Sequence, residues 1–247
     1  MKVSGRVGGC DLKTFASDDA LAECAARDWL QAALAARTAG REFCTALSGG
    51  RIATKFYAQI VAQAGAGKAD LSHAHFFWAD ERCLPPHDVE SNFRLARELL
   101  FEPLAISDAQ IHRIRGEDEP DSAAREAESE ICRIAPLNGD GQPVLDLVLL
   151  GMGEDGHVAS LFPDEPAEVS ASPAVYRAVK NSPKPPPQRV TLGYAAIAAA
   201  REVWVLVAGS AKREVLRNSL LGALKTPLAR VVRQGGGNRV YADFVVN

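Results

Sequence analysis

The chain has 247 residues, 47% of them apolar and 24% charged, with a net charge of −3. That length and balance fit one large α/β domain or two small ones, with a core that needs no disulfide or metal staples. The slight acidic surplus argues against a nucleic-acid partner, and no apolar run approaches the roughly 20 residues that span a bilayer, which argues against a membrane role.

Five cysteines, at 10, 24, 44, 83 and 132, are scattered without a CxxC pair, so they read as reduced, buried thiols rather than as a disulfide framework or a zinc site. Met1 to Asp11 lacks the apolar stretch of a signal peptide, and the expected location is the cytoplasm.

Along the chain, Ser17 or Asp18 can cap a first long helix that ends near Gly40. Phe43 to Leu47 predicts a short strand, Ser48-Gly49-Gly50 a turn, and the residues through Ala62 a helix. Ala74 to Trp78 predicts another strand, and Ser91 opens a helix to about Leu100 with Pro103 beyond it as a stop. Ile111 to Ile114 fits a short strand and Ser122 to Ile134 a charged amphipathic helix. Val144 to Leu150 is a nearly continuous apolar run, as expected of a strand covered on both faces. Val175 to Val179 and Glu202 to Ala208 predict further strands, and Ala211 to Leu221 a helix. Arg239 to Val246 alternates like an edge or outer strand. Strand and helix alternate throughout, which predicts a mostly parallel sheet with helices on both faces. The proline-rich stretch Ser182 to Gln188 has strands on both sides, so it reads as a stiff loop inside one domain spanning 1–247.

In open parallel sheets, ligands bind beyond the carboxyl ends of the strands, and four segments with chemical potential fall there. Ser48, Gly49 and Gly50 precede a helix. Glycine lets backbone N–H groups approach an anion such as a phosphate, although an ordinary βα turn also uses glycine. Asp80, Glu81 and Arg82 gather two acids and a guanidinium at a strand end, which fits either a site or a solvated, self-neutralising group. Gly151, Gly153 and Gly156 have the GxGxxG spacing of a dinucleotide site. Their position past mid-chain, the helix-limiting Pro163, and Lys180 rather than an acid at the end of the next strand argue against that use. The segment offers instead His157 with Asp155 two residues before it, and histidine is the usual general base near neutral pH. Arg189 and Lys212 each place a cation at a strand–helix junction, where the dipole disfavours it unless an anion is bound. With Ser48 and the glycines they can close around one phosphate, Arg189 binding it bidentately. His73 and His75 are two apart, but no third ligand is near, so no metal is expected.

Taken in order, these segments resemble the 6-phosphogluconolactonase family. Its pattern is Ser-Gly-Gly, then Asp-Glu-Arg with a later Ser-Asn, a Gly-x-Gly-x-Asp-Gly-His-x-Ala-Ser-Leu-Phe-Pro segment, Arg-x-Thr and Gly-x-x-Lys. Here these read Ser48 to Gly50, Asp80 to Arg82 with Ser91-Asn92, Gly151 to Pro163, Arg189 to Thr191 and Gly209 to Lys212, a match from about Phe15 to the C-terminus. The resemblance implies a modified Rossmann-like three-layer α/β sandwich with a mostly parallel sheet, shared with glucosamine-6-phosphate deaminase and ribose-5-phosphate isomerase. It implies hydrolysis of 6-phospho-D-glucono-1,5-lactone in the oxidative pentose phosphate pathway, with no organic cofactor and no catalytic metal. His157 is then the general base, with Asp155 orienting it. Arg82 stands near the ester and Asp80 fixes Arg82 or a water. Ser48, Gly49, Gly50, Arg189 and Lys212 hold the phosphate, with Gly153 in the same loop as His157. Monomer and small homo-oligomer both remain open.

One departure stands out. The family usually continues Ser-Gly-Gly with Ser or Thr and then Pro, whereas this chain has Arg51-Ile52-Ala53. Arg51 either replaces the lost hydroxyl with a charge or points to solvent. Two competing functions use the same motifs. A deaminase carries a glutamate five residues after the histidine, where this chain has Phe162. A non-catalytic phosphosugar sensor normally carries a DNA-binding segment as well, and no helix-turn-helix precedes the domain here.

Overall fold

The computed structural model describes residues 3–67, 69–234 and 236–246. Its frame is a seven-stranded sheet in the order β1-β2-β10-β9-β6-β3-β4. The strands are β1 Val3–Val7, β2 Cys10–Thr14, β3 Phe43–Leu47, β4 Ala74–Trp78, β6 Leu147–Gly151, β9 Glu202–Val207 and β10 Asn238–Ala242. Every neighbouring pair is parallel except the β1–β2 hairpin. A small antiparallel sheet joins β5 Asp80–Arg82, β8 Arg189–Leu192 and β7 Tyr176–Val179, in the order β5-β8-β7. Residues of both sheets belong to one buried apolar cluster.

The main helices are α1 Asp18–Thr38, α2 Arg51–Gly67, α3 Asn92–Ala96, α4 Glu102–Leu104, α5 Pro120–Ile134, α6 Ala167–Ser170, α7 Tyr194–Ala199, α8 Arg213–Leu221 and α9 Pro227–Gln234. Ser17 caps α1, its hydroxyl accepting from the Ala20 N–H at 3.2 Å. Asp18 and Asp19 then complement the dipole in the first turn. Leu21, Ala25, Trp29, Ala33 and Ala36 recur at helical spacing and are buried against the sheet. Trp29 meets Phe43 edge-on at 5.4 Å and stacks near Phe76 at 6.1 Å.

Three sequence expectations need correction. Ile111 to Ile114 is not a strand; Ile111 makes a single bridge to Phe76. Pro103 does not lie beyond the helix opened by Ser91. The backbone continues through a wider π turn, Arg97–Phe101, into α4, where Pro103 sits in the first turn and needs no N–H partner. Most consequential, the C-terminal strand β10 is not an edge but lies between β2 and β9, parallel to both. Its alternating polar residues face carboxylates rather than solvent. The Tyr241 hydroxyl donates to Asp28 of α1 at 2.9 Å and Arg239 to Glu202 at 3.0 Å. Paired polar groups satisfy the buried strand as well as water satisfies an exposed one.

The order of strands positions the site. From β3 the chain moves outward to β4, then returns to place β6 on the other side of β3, so the carboxyl ends of β3 and β6 flank a topological switch point. No described helix follows β6 before Ala167, so the GxGxxG-spaced glycines lead into a loop and not into the helix a dinucleotide requires.

Candidate active site

A cleft of about 250 Å³ opens at that point, with walls from the loops after β3, β4, β6 and β9. Ser48, Gly49, Gly50, Arg51, Asp80, Arg82, Gly153, His157, Arg189 and Lys212 all line it. Asp155 stands behind His157 rather than on the wall. Residues spread over 165 positions of chain are thus neighbours because four parallel strands end together.

The turn after β3 is built for close backbone approach. The Ser48 hydroxyl donates to the Leu149 carbonyl of β6 at 2.7 Å, and the Ser48 carbonyl accepts from Tyr57 at 2.6 Å. The serine proton thus fastens the turn to the sheet. What faces the cleft is the start of α2, whose first N–H groups have no intrahelical acceptor. Gly50 adopts φ +96°, a conformation costly for any other residue. Lys212 reaches the same end from β9 and donates to the Met152 carbonyl. Burial first, then the nearby Arg51 charge, hold its ammonium below the usual lysine range.

At the other end, β5 separates its three polar residues by strand alternation. Asp80 and Arg82 line the cleft, whereas Glu81 is buried and accepts from the N–H groups of Arg82, Asn92 and Phe93 and from the Ser91 hydroxyl. The Asp80 carboxylate accepts from Ser160 at 2.6 Å, and its carbonyl accepts from Asn92 at 2.8 Å. Arg82 donates one terminal N–H to the Glu90 carbonyl, and its buried Nε has no partner among the described residues.

Arg189 is placed differently from its expected role. Nε donates to Pro186, and Nη2 to the carbonyls of Lys184 and Pro185 at 3.1 and 2.8 Å. Nη1 faces Ser160 at 3.4 Å and Asp80 at 4.0 Å. The edge needed for a bidentate grip on a phosphate is held by the proline loop, and the guanidinium belongs to the Asp80 end of the cleft. Asn92 and Ser160, for which the sequence predicts no role, hold Asp80 in place. Their signal was their position inside the Ser-Asn and Ala-Ser-Leu-Phe segments.

His157 is fixed by short-range contacts. Its Nδ1 lies 2.5 Å from Asp155 Oδ1, and its own N–H donates to the same oxygen at 3.2 Å. Burial alone would raise the Asp155 carboxyl, but these hydrogen bonds outweigh it and the net shift is downward. An ionised Asp155 can only accept, so Nδ1 carries the proton and Nε2 is left as the basic nitrogen. Phe162 packs 4.9 Å from the imidazole and 5.7 Å from the Arg189 guanidinium, spacing the two. His75, by contrast, pairs with His112 at 2.9 Å away from this cleft's lining.

A small cleft lined by Arg51, Arg82, Arg189, Lys212 and an oriented imidazole defines an α/β enzyme for a small anionic substrate. The family model described as Glucosamine-6-phosphate isomerases/6-phosphogluconolactonase matches residues 16–241, and the chain belongs to this family. It is 36% identical over 217 residues to the 6-phosphogluconolactonase of Mycobacterium tuberculosis, covering 86% of each chain. The solved 6-phosphogluconolactonase of Trypanosoma brucei superposes with a TM-score of 0.80 at 28% identity, covering 93% of this chain and 94% of that one. A monomeric glucosamine-6-phosphate deaminase shares the fold, with a TM-score of 0.78 at 17% identity over 94% and 96% of the two chains.

Proposed function

We propose that this protein hydrolyses 6-phospho-D-glucono-1,5-lactone to 6-phospho-D-gluconate, the lactonase step of the oxidative pentose phosphate pathway, and does so in the cytoplasm as one domain. The observation that carries the reading is the Asp155–His157 pair, 2.5 Å apart, its imidazole facing a cleft lined by Arg51, Arg82, Arg189 and Lys212. The family relatives named as 6-phosphogluconolactonases support it.

In this reading Nε2 of His157 takes a proton from a water as its oxygen bonds to the lactone carbonyl carbon. The negative charge on the carbonyl oxygen is met by Arg82, which lines the cleft and commits only one terminal nitrogen, to the Glu90 carbonyl. The tetrahedral adduct collapses with cleavage of the bond to the ring oxygen, and the imidazolium returns the proton to that oxygen. Asp155 stabilises the imidazolium between the two transfers. The turn from Ser48 to Gly50 and Lys212 hold the phosphate away from the reacting carbon and so position the ring.

Deaminase chemistry is disfavoured by a specific contact. Where ring opening needs a carboxylate beside the histidine, Phe162 packs its ring. Of the next two acids, Asp164 is exposed at a left-handed backbone position and Glu165 is bound to Arg177 at 2.7 Å.

The test is to generate the phosphorylated lactone in situ and follow its loss against the spontaneous rate. The native protein should accelerate it, and His157→Ala and Asp155→Asn should lower kcat by about 10²–10⁴-fold, the usual worth of general acid–base catalysis. A native protein no faster than buffer would refute the reading.

A further inference from the structure

We propose that Arg51 is the second cation of the phosphate subsite in this chain, partnering Lys212 where Arg189 does not, and that it sets the preference for phosphorylated over unphosphorylated lactones. The substrate named here rests on the lactonase reading; the anion site itself does not.

Three observations lead there. Arg51 lines the cleft beside Gly49 and Gly50 and is the first residue of α2, a helix of 17 residues. A cation there opposes the helix dipole. It also opposes Lys212, on which its charge acts directly. Two unfavourable placements of one side chain at one point are offset when an anion lies between them. The other two arginines of the cleft belong to its Asp80 end, Arg82 following Asp80 on β5 and Arg189 held by three carbonyls of the proline loop and facing Asp80 at 4.0 Å. Among the described residues Arg51 has no ion-pair partner.

The acids near Lys212 each act on it less than Arg51 does. Asp155 is engaged by His157, and Asp243 accepts the Gly209 N–H at 2.9 Å. Glu154 is exposed. The free N–H groups at the start of α2, Lys212 and the exposed Arg51 therefore line one cleft suited to a dianionic phosphate monoester. A guanidinium replaces the hydroxyl usual after Ser-Gly-Gly and adds charge as well as donors.

The test compares kcat/KM for the phosphorylated lactone with that for the unphosphorylated δ-gluconolactone. Arg51→Ala should lower the ratio of the two by about 10- to 100-fold, the worth of one charge-assisted hydrogen-bonded contact, through KM for the phosphorylated substrate. Arg51→Thr, which restores a hydroxyl, should recover part of it. Arg189→Ala should lower kcat for both lactones and leave the ratio within about twofold. Independently of turnover, calorimetric titration with inorganic phosphate at low ionic strength should show binding to the native protein that weakens in Arg51→Ala. A ratio and a phosphate affinity both unmoved in Arg51→Ala overturn the proposal. Should the native protein hydrolyse no lactone, the functional reading falls and the phosphate titration alone decides Arg51.

Discussion

A methyl group at position 153 would stand 2.1 Å from Cε1 of His157 and 2.7 Å from Oδ1 of Asp155. Neither neighbour can retreat without breaking the 2.5 Å contact that fixes the imidazole. Gly153→Ala should therefore act like a catalytic mutation while leaving the substrate-binding end intact. We expect kcat to fall by about 10²-fold or more with KM for the lactone changed little, as when a general base is displaced. The proton on Nδ1, followed by NMR, should lose the downfield shift of a carboxylate-bonded imidazole. Unchanged kcat would show that the ring finds another productive position. The glycine was legible in the sequence as part of a spaced motif, but its purpose was not, because the ring it accommodates lies four residues later and folds back over it. Arg189 teaches the same limit. Its identity and strand end were readable, whereas its orientation depends on three carbonyls of a proline loop whose path no spacing rule encodes.

At the scale of elements, a buried carboxylate ties the strand β5 to helix α3, beside the bond from Asn92 to the Asp80 carbonyl. Glu81 turns away from the cleft and accepts from the N–H groups of Asn92 and Phe93 at 2.8 and 2.7 Å, at the start of α3. Burial pushes its pKa up from 4.5 to about 7, against the pull of those N–H donors. Between these two values the folded protein holds a proton that the unfolded chain has released. Stability from this group is thus full below about pH 4.5, falls as pH rises to about 7, and is constant above. With about 1.4 kcal/mol per unit, the swing is on the order of 3 kcal/mol. Glu81→Gln should remove that slope. Urea unfolding of both proteins at several pH values would show it, and parallel profiles would exclude Glu81 as the cause. Elements of this kind were the least readable. The long helix α1 and the buried strands announced themselves by period and cap, but β5 has three residues and β8 four, too few for any alternation to stand out. The charge cluster read as a site or as a solvated group is in fact divided between a cleft face and a buried face by strand geometry alone.

The whole molecule is closed by its two ends. β10 supplies hydrogen bonds to β2 on one side and β9 on the other, and the Phe15 N–H donates to the Ala242 carbonyl at 2.8 Å as the chain leaves β2 for α1. Just beyond β10, Asp243 accepts the Gly209 N–H, which fixes the turn carrying Lys212. The sequence hid this arrangement because alternating polarity ordinarily marks an exposed strand, and only the partners from α1 and β9 show why it does not here. If β10 were an edge, its removal would fray one side and spare the rest. As an interior strand it leaves two long parallel edges, severs the β1–β2 hairpin from the sheet and strands Asp28 of α1 without Tyr241. Edges of that kind pair with other chains rather than remain in water. A chain ending at Gly237 should therefore show no cooperative unfolding transition by circular dichroism and should associate during purification. Cooperative unfolding of a monomer, with a Tm within about 8 °C of the native value, would correspond to a loss of only about 2–4 kcal/mol in a domain this large and would mean that the remaining strands close without it. Because β10 must insert between β9 and β2, the latter separated from it by nearly all of the described residues, folding should also be slow for its size, with the folding rate limited by long-range pairing rather than by helix formation.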